Sequence, residues 1–248
     1  MILKKSYPIV DSFIQDFPQI LSDKPFGLRI IEGDPDYPIC FNELKESILQ
    51  VDPKAEIRFG MSKYVITAPS LDDVVIKIPF SGTYDYYYDD DIDDVDYVDD
   101  NEMSYYFSFF RKDYCKVEYE KYLELWCRNL DCFVAKTQLY TTINGINIFL
   151  QEKVVPYEDN WHSRKPSAHS EKTADNWIQE ELFWIQEEFL DSNWLANCID
   201  LYGESKTKRF IDYCNYQDPD IISDLHSGNI GYRTDNTPVI LDFSGFLE

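Results

Sequence analysis

The sequence predicts an α+β chain, and three observations carry that expectation. Between Glu56 and Ile78 apolar residues fall in short β-branched runs bounded by turn residues. From Tyr114 to Trp126 they recur at three- and four-residue steps. From Phe133 to Leu150 strand character returns around an Asn144-Gly145 turn. A chain of 248 residues accommodates one two-lobed domain or two small ones, and 44% hydrophobic with 16% aromatic residues is a composition that packs. The formal net charge of −23 repels nucleic acid, so no nucleic-acid partner is expected. The same acidity suits solubility, mimicry of nucleic acid or attraction of a basic partner.

No apolar run reaches the roughly 18 residues that a membrane span needs. The opening Met1-Ile-Leu-Lys-Lys-Ser-Tyr-Pro8 lacks the apolar core of a signal peptide. A soluble, cytoplasmic protein with no membrane partner is therefore expected. The six cysteines, at 40, 115, 127, 132, 198 and 214, form no Cys-x-x-Cys pair and read as buried reduced thiols. With three histidines and no metal-like pairing among them, a zinc site is not expected.

Residues 1–55 read as an N-terminal extension that packs on the strand-rich region beginning at Glu56. Phe13, Ile14, Phe17, Ile20 and Leu21 recur at helical spacing, with a break expected at Pro18, and Phe41 to Gln50 reads as a second amphipathic helix ended by Asp52-Pro53. Ile57 to Thr67 is a hairpin around Gly60, and Val74-Val-Ile-Lys-Ile78 is a buried-type strand carrying one lysine, Lys77. Such a lysine either faces solvent on an edge strand or meets a counter-charge.

Residues 85–102 hold nine Asp and one Glu with no Lys or Arg, interleaved with tyrosines. A stretch so charged reads as a mobile insertion, and as a surface for a basic protein partner. It lacks the glycine and final glutamate of a calcium loop. In the next helix Cys115, Tyr119, Tyr122, Leu123 and Trp126 define the expected apolar face, with Glu118 at its border. Residues 157–172 read as a polar loop bearing His162 and His169. Trp177 to Phe189, Trp194 to Tyr202 and Lys206 to Cys214 read as helices.

The chemistry concentrates near the end of the chain, in Ile221-Ile-Ser-Asp-Leu-His-Ser-Gly-Asn-Ile-Gly231 and Val239-Ile-Leu-Asp-Phe-Ser-Gly245. Asp224 stands five residues before Asn229, and Asp242 thirteen residues after it, across a turn at Thr234 to Pro238. Phosphoryl transfer needs one acid to orient an acceptor hydroxyl and oxygen ligands to hold magnesium beside the phosphates. Asp224, Asn229 and Asp242 have the types and order for these tasks.

This pattern resembles the catalytic core of the protein-kinase-like superfamily, in which Asp, four residues and Asn precede an Asp-Phe-Gly after a short hairpin. The wording Asp-Leu-His-x-Gly-Asn is nearest to the aminoglycoside- and choline-kinase branch and to atypical bacterial or viral members. Two departures are plain: a serine is inserted in Asp242-Phe-Ser-Gly245, and Ile222-Ser223 stand where most protein kinases have His-Arg.

The resemblance covers roughly residues 56–248 and implies a two-lobed protein-kinase-like fold. A small β-rich N-lobe would occupy 56–150, with 85–102 as its acidic insertion and residues 1–55 packed on it. A mostly helical C-lobe would occupy 151–248, truncated because only three residues follow Gly245. It implies ATP and Mg2+ as cofactors and roles for particular residues. Lys77 would hold the phosphates, oriented by Glu118 or, in second place, Glu120. Gly60, Ser62 and Val65 would be the remnant of the glycine-rich loop. The backbone of Glu152 to Val154 would meet the adenine edge. Asp224 would orient the acceptor, and Asn229 and Asp242 would hold magnesium. His226 would contact the transferred phosphate or brace its loop. The implied activity is an ATP- and Mg-dependent phosphotransferase acting on a protein or small-molecule hydroxyl. The rival is a catalytically weak or inactive kinase-fold protein, an acidic viral or mobile-element inhibitor of a host factor. The poor glycine loop and the missing His-Arg favour the rival; the retained Lys77, Asp224, Asn229 and Asp242 favour the enzyme.

Overall fold

The computed structural model describes residues 8–21, 27–31, 34–38, 40–60, 62–87, 104–157, 165–180, 192–219, 221, 225 and 227–244. The fold is α+β, with several helices and a five-stranded antiparallel sheet. The chain forms two compact units, residues 1–116 with 139–150, and residues 117–138 with 151–248. Among the described residues no helix is long and apolar enough to cross a membrane.

The first unit begins with helices α1 (Pro8–Ile14) and α2 (Phe17–Ile20). The chain breaks at Gln15 and Asp16, ahead of Pro18. Pro18 sits in the first turn of α2, where its missing N–H costs no hydrogen bond, so the expected break falls just ahead of the proline, which opens the second helix. Strands β1 (Gly27–Ile31) and β2 (Asp34–Pro38) precede helix α3 (Phe41–Val51), whose C-cap is Asp52.

Five more strands come next: β3 (Glu56–Phe59), β4 (Lys63–Thr67), β5 (Val74–Pro79), β6 (Gly82–Tyr87) and β7 (Ser104–Phe109). The hairpin β8 (Thr137–Ile143) and β9 (Ile146–Glu152) completes the main sheet in the order β3-β4-β5-β9-β8. Its turn places Asn144 at φ 50° and Gly145 at φ 81°, the two left-handed residues that a type I′ turn requires. A second sheet has the order β2-β1-β6-β7.

The acidic stretch does not start as a loop. Asp85, Tyr86 and Tyr87 belong to β6 and pair with Tyr106, Tyr105 and Ser104 of β7. The remainder of that stretch lies outside the described residues. In the core of this unit Val10, Phe13, Phe17, Leu44 and Ile48 from the helices pack with Tyr64, Ile66, Ile76, Ile78, Ile148 and Leu150 from one face of the five-stranded sheet.

The second unit takes most of helix α4 (Tyr114–Cys127), and then β10 (Val155–Pro156), α5 (Ala168–Glu180), α6 (Ser192–Tyr202) and α7 (Glu204–Tyr216). The hairpin of β11 (Ile230–Tyr232) and β12 (Pro238–Ile240) closes it. Helix α5 starts inside the segment expected to be a loop, because Ser167 caps it: the Ser170 N–H donates to Ser167 Oγ at 3.2 Å. His169 is thereby an exposed helix residue, its Nε2 3.4 Å from Glu204 Oε2. The expected helix beyond Glu180, and His162, lie outside the described residues. Phe133 stacks on Phe210 (4.4 Å between centroids) and meets Tyr202 edge-on, at the centre of a core that also holds Trp194, Tyr232, Ile240 and Phe243.

All six cysteines are free: Cys115, Cys198 and Cys214 are buried, Cys40 and Cys132 partly so, and Cys127 is exposed. Burial pushes the Cys198 and Cys214 thiols up, which keeps them protonated and unreactive.

Candidate functional site

In the first unit, β5 is the third strand along the main sheet, flanked by β4 and β9. Lys77 is therefore on an interior strand, and only 4% of it is exposed. Register sets its neighbours, with Val65 directly opposite Lys77 and Ile66 opposite Ile76. Since side chains alternate across a strand, Val65 and Lys77 share the face opposite to Tyr64, Ile66, Ile76 and Ile78, which enter the core. Gly60 lies in the β3–β4 connection, where its N–H donates to the Lys63 carbonyl at 3.2 Å. A Cβ added at Gly60 would meet nothing within 4 Å, so local packing does not demand the glycine. Ser62 is buried, and among the described residues its hydroxyl has no hydrogen-bond partner. Its carbonyl accepts the Phe80 N–H at 2.7 Å.

The buried stripe of α4 differs from the expected one. Cys115, Glu118, Tyr122 and Leu125 are buried, whereas Leu123 and Trp126 are 37% and 51% exposed. The apolar residues Tyr119, Leu123 and Trp126 gave the stripe its predicted direction; the true one is rotated to take a carboxylate inside. Glu120 is exposed and Glu118 fully buried, so the two acids are distinguished by their surroundings. Gln151 Nε2 donates to Glu118 Oε2 at 3.3 Å and to Thr137 Oγ1 at 3.1 Å. One stripe position away, Lys121 pairs with Asp218 at 2.8 Å.

Glu152 and Val154 connect β9 to β10. The Glu152 N–H donates to the Lys136 carbonyl at 2.8 Å, so that N–H is engaged within the protein. The Glu152 carboxylate is held by Arg233, which sequence reading missed. Arg233 Nε and Nη2 reach Glu152 Oε1 and Oε2 at 2.9 and 3.1 Å. Nη1 donates to the Cys132 carbonyl and to Tyr202 Oη, and Nη2 also donates to the Val134 carbonyl. All five guanidinium donors are thus used. Burial works against the charge on Arg233, but the Glu152 carboxylate more than offsets it and holds the group above its usual range. Tyr202 passes the fastening on, donating to the Pro238 carbonyl at 2.6 Å, and burial pushes its hydroxyl pKa up.

The same region is tied by backbone. Val155 and Pro156 pair with Tyr232 and Gly231. A Cβ at Gly231 would overlap the Val155 carbonyl, so this position of the Asp224-to-Gly231 motif admits only glycine. Across the hairpin the Leu241 N–H donates to the Asn229 carbonyl at 2.7 Å, which brings Asn229 and Asp242 to the same open end. Phe243, fully buried, anchors Asp242 to the core. The inserted Ser244 is buried too, and its hydroxyl donates to Asp242 Oδ1 at 3.0 Å. Asn229 and Asp242 offer hard oxygen donors of the kind that magnesium takes, one or two from protein and the rest from phosphate and water. Among the described residues no cluster of three or more His, Cys, Asp or Glu forms a metal cage.

Asp224 and His226 lie outside the described residues. Their neighbours Ile221 and Leu225 are buried in the core of this unit. The chain matches no protein-family model, no curated protein and no solved structure.

Proposed function

We propose that this chain is a phosphotransferase of two-lobed, protein-kinase-like fold, which uses ATP and Mg2+ to modify a hydroxyl of a protein or small molecule. The observation that carries the reading is the β11–β12 hairpin, which sets Asn229 and Asp242 at one open end, with Asn229 five residues after Asp224 in the chain. Two further placements support it. Lys77 is buried on the third strand of its sheet, the strand on which protein kinases carry the phosphate-binding lysine, and Glu118 is the buried acid of the following helix. Lys77 would neutralise phosphate charge. Asn229 and Asp242 would hold magnesium, which supplies charge neutralisation at the phosphates when bound. Asp224 would orient the acceptor hydroxyl. Catalysis of this kind is positioning and electrostatics rather than covalent chemistry.

Titration calorimetry and thermal unfolding with Mg-ATP test it. Ligand at ~100 times its dissociation constant adds roughly 2.7 kcal/mol of stability, and Asp242→Asn is expected to remove the magnesium-dependent part. Asp224→Ala is expected to lower turnover by about 10²–10⁴-fold with ATP affinity nearly unchanged. Absence of nucleotide binding at millimolar ATP sinks the enzyme reading. The second reading, an inactive acidic binding protein, is favoured by the Ser244 hydroxyl engaging the Asp242 carboxylate. Under it, Asp224→Ala would turn over ATP no more slowly than the parent.

A further inference from the structure

The end of α4 and the last two turns of α7 border an open cavity of about 520 Å³, and all of its lining residues belong to the second unit. Its shape follows from how α4 stops. Asn129 takes the left-handed conformation (φ 58°), and the Leu130 N–H turns back to the Leu125 carbonyl at 2.8 Å. Arg209 of α7 donates through Nη2 to the Arg128 carbonyl at this helix end, at 3.1 Å. Leu130, held in the core, lines the cavity with the aromatic residues Tyr213 and Tyr216.

Charge around the cavity is uneven. Arg128 lies over the Tyr213 ring, 5.0 Å from its centroid, and pairs with Glu124 at 2.9 Å. Asp212 pairs with Lys208 at 2.6 Å, and Asp218 with Lys121 at 2.8 Å. Arg209 has no carboxylate partner among the described residues, and the Arg128 carbonyl occupies one of its five donors. A chain of 46 acidic and 23 basic residues has acids enough to pair it, yet the fold leaves that charge to the cavity. A planar fork of donors takes a carboxylate in two parallel hydrogen bonds. One unbalanced charge calls for a monoanion, and the apolar lining calls for a hydrophobic body joined to it. Cavities of roughly 300–1,000 Å³ are of the size that holds small organic molecules.

We propose that this cavity binds a small organic monocarboxylate, with the carboxylate on Arg209 and an aromatic or aliphatic body against Leu130 and Tyr213. The site is independent of the nucleotide reading, since no lining residue belongs to the 221–231 or 239–245 stretches.

Cys127 also lines the cavity, and its exposed thiol serves as the reporter. Iodoacetate and iodoacetamide alkylate a thiolate by the same displacement of iodide and differ in a carboxylate. Peptide mass spectrometry on the full chain gives their rate ratio at Cys127, compared with the ratio for 2-mercaptoethanol. The parent is expected to favour iodoacetate several-fold over that reference, and Arg209→Gln to lower the ratio by about 10-fold. Without the site, the net charge of −23 repels iodoacetate and holds the ratio below the reference in both chains. Benzoate, which joins a carboxylate to a ring, is expected to half-protect Cys127 of the parent at a concentration on the order of 1–10 mM. Benzamide, without the charge, and acetate, without the ring, are expected to protect about 10-fold less well. An equal ratio in parent and Arg209→Gln overturns the inference. So does a raised ratio without protection by benzoate, which would make Arg209 a solvated charge beside a thiol. Equal protection by benzoate and benzamide overturns it too, because the carboxylate then plays no part. The protection series uses the parent alone and so survives a variant that fails to fold.

Discussion

Arg233 and the pair Lys63 and Lys77 take positive charge inside in opposite ways. Arg233 directs five donors to a carboxylate, two backbone carbonyls and a tyrosine hydroxyl, all within the second unit. The lysines, in the first unit, place two like charges on one face of a sheet. A planar, rigid fork fixes its surroundings, whereas a point charge on a flexible stem adapts to the group that arrives. The contrast separates a guanidinium whose five donors fasten one carboxylate and its surroundings from two ammonium-bearing side chains that strand register sets on one face.

The largest effect that would sharpen this contrast comes from Arg233→Met. It strands the half-buried Glu152 carboxylate and is expected to cost about 3–5 kcal/mol of stability in urea unfolding. A loss below about 1 kcal/mol would break the comparison, since Arg233 would then not be a fastening of the fold. Next in size is Gly231→Ala, whose Cβ must displace the Val155 carbonyl. A loss of about 1–3 kcal/mol is expected, as for other overpacked sites. Arg233→Lys is expected to lose about 1–2 kcal/mol, because charge remains but the fork is gone; full retention of stability would mean that charge alone matters there.

The smallest effect lies in acid. Asp52 sits below its usual 3.8, first because the Ser70 hydroxyl donates to it and then because the Lys54 N–H does. Asp235 is lowered by the Thr237 hydroxyl and N–H. A carboxylate depressed in the folded state adds stability that is complete above its unfolded pKa and is lost as pH falls through the folded one. Asp52→Asn and Asp235→Asn should each flatten stability against pH below about pH 4. An unaltered acid limb in both would show these caps to be energetically silent.

Where local rules decide, the fold was legible. Asn144-Gly145 can only be a tight left-handed turn, and the all-buried β5 announces itself by Val74-Val-Ile. The α4 stripe was misdirected because Leu123 and Trp126 are apolar yet exposed; spacing put Glu118 at the border of that stripe, and only the packing turns it fully inside. Arg233 was invisible because Glu152 is 81 residues away and no periodicity links them. Lys63 was passed over because a lysine alternating with Tyr64 and Ile66 looks like an ordinary outward position. Only the register with β5 reveals that its face is buried.

Strand β5 lies beside β9, yet β9 ends only at Glu152. During synthesis at about 5–20 residues per second, the edge of Val74–Pro79 must wait several seconds for its partner. An apolar edge left open in that interval invites pairing with another nascent chain. The residues that emerge just behind it are the nine aspartates and one glutamate of 85–102. Ten acids without a base so close behind that edge add charge repulsion between neighbouring nascent chains while the sheet is still incomplete.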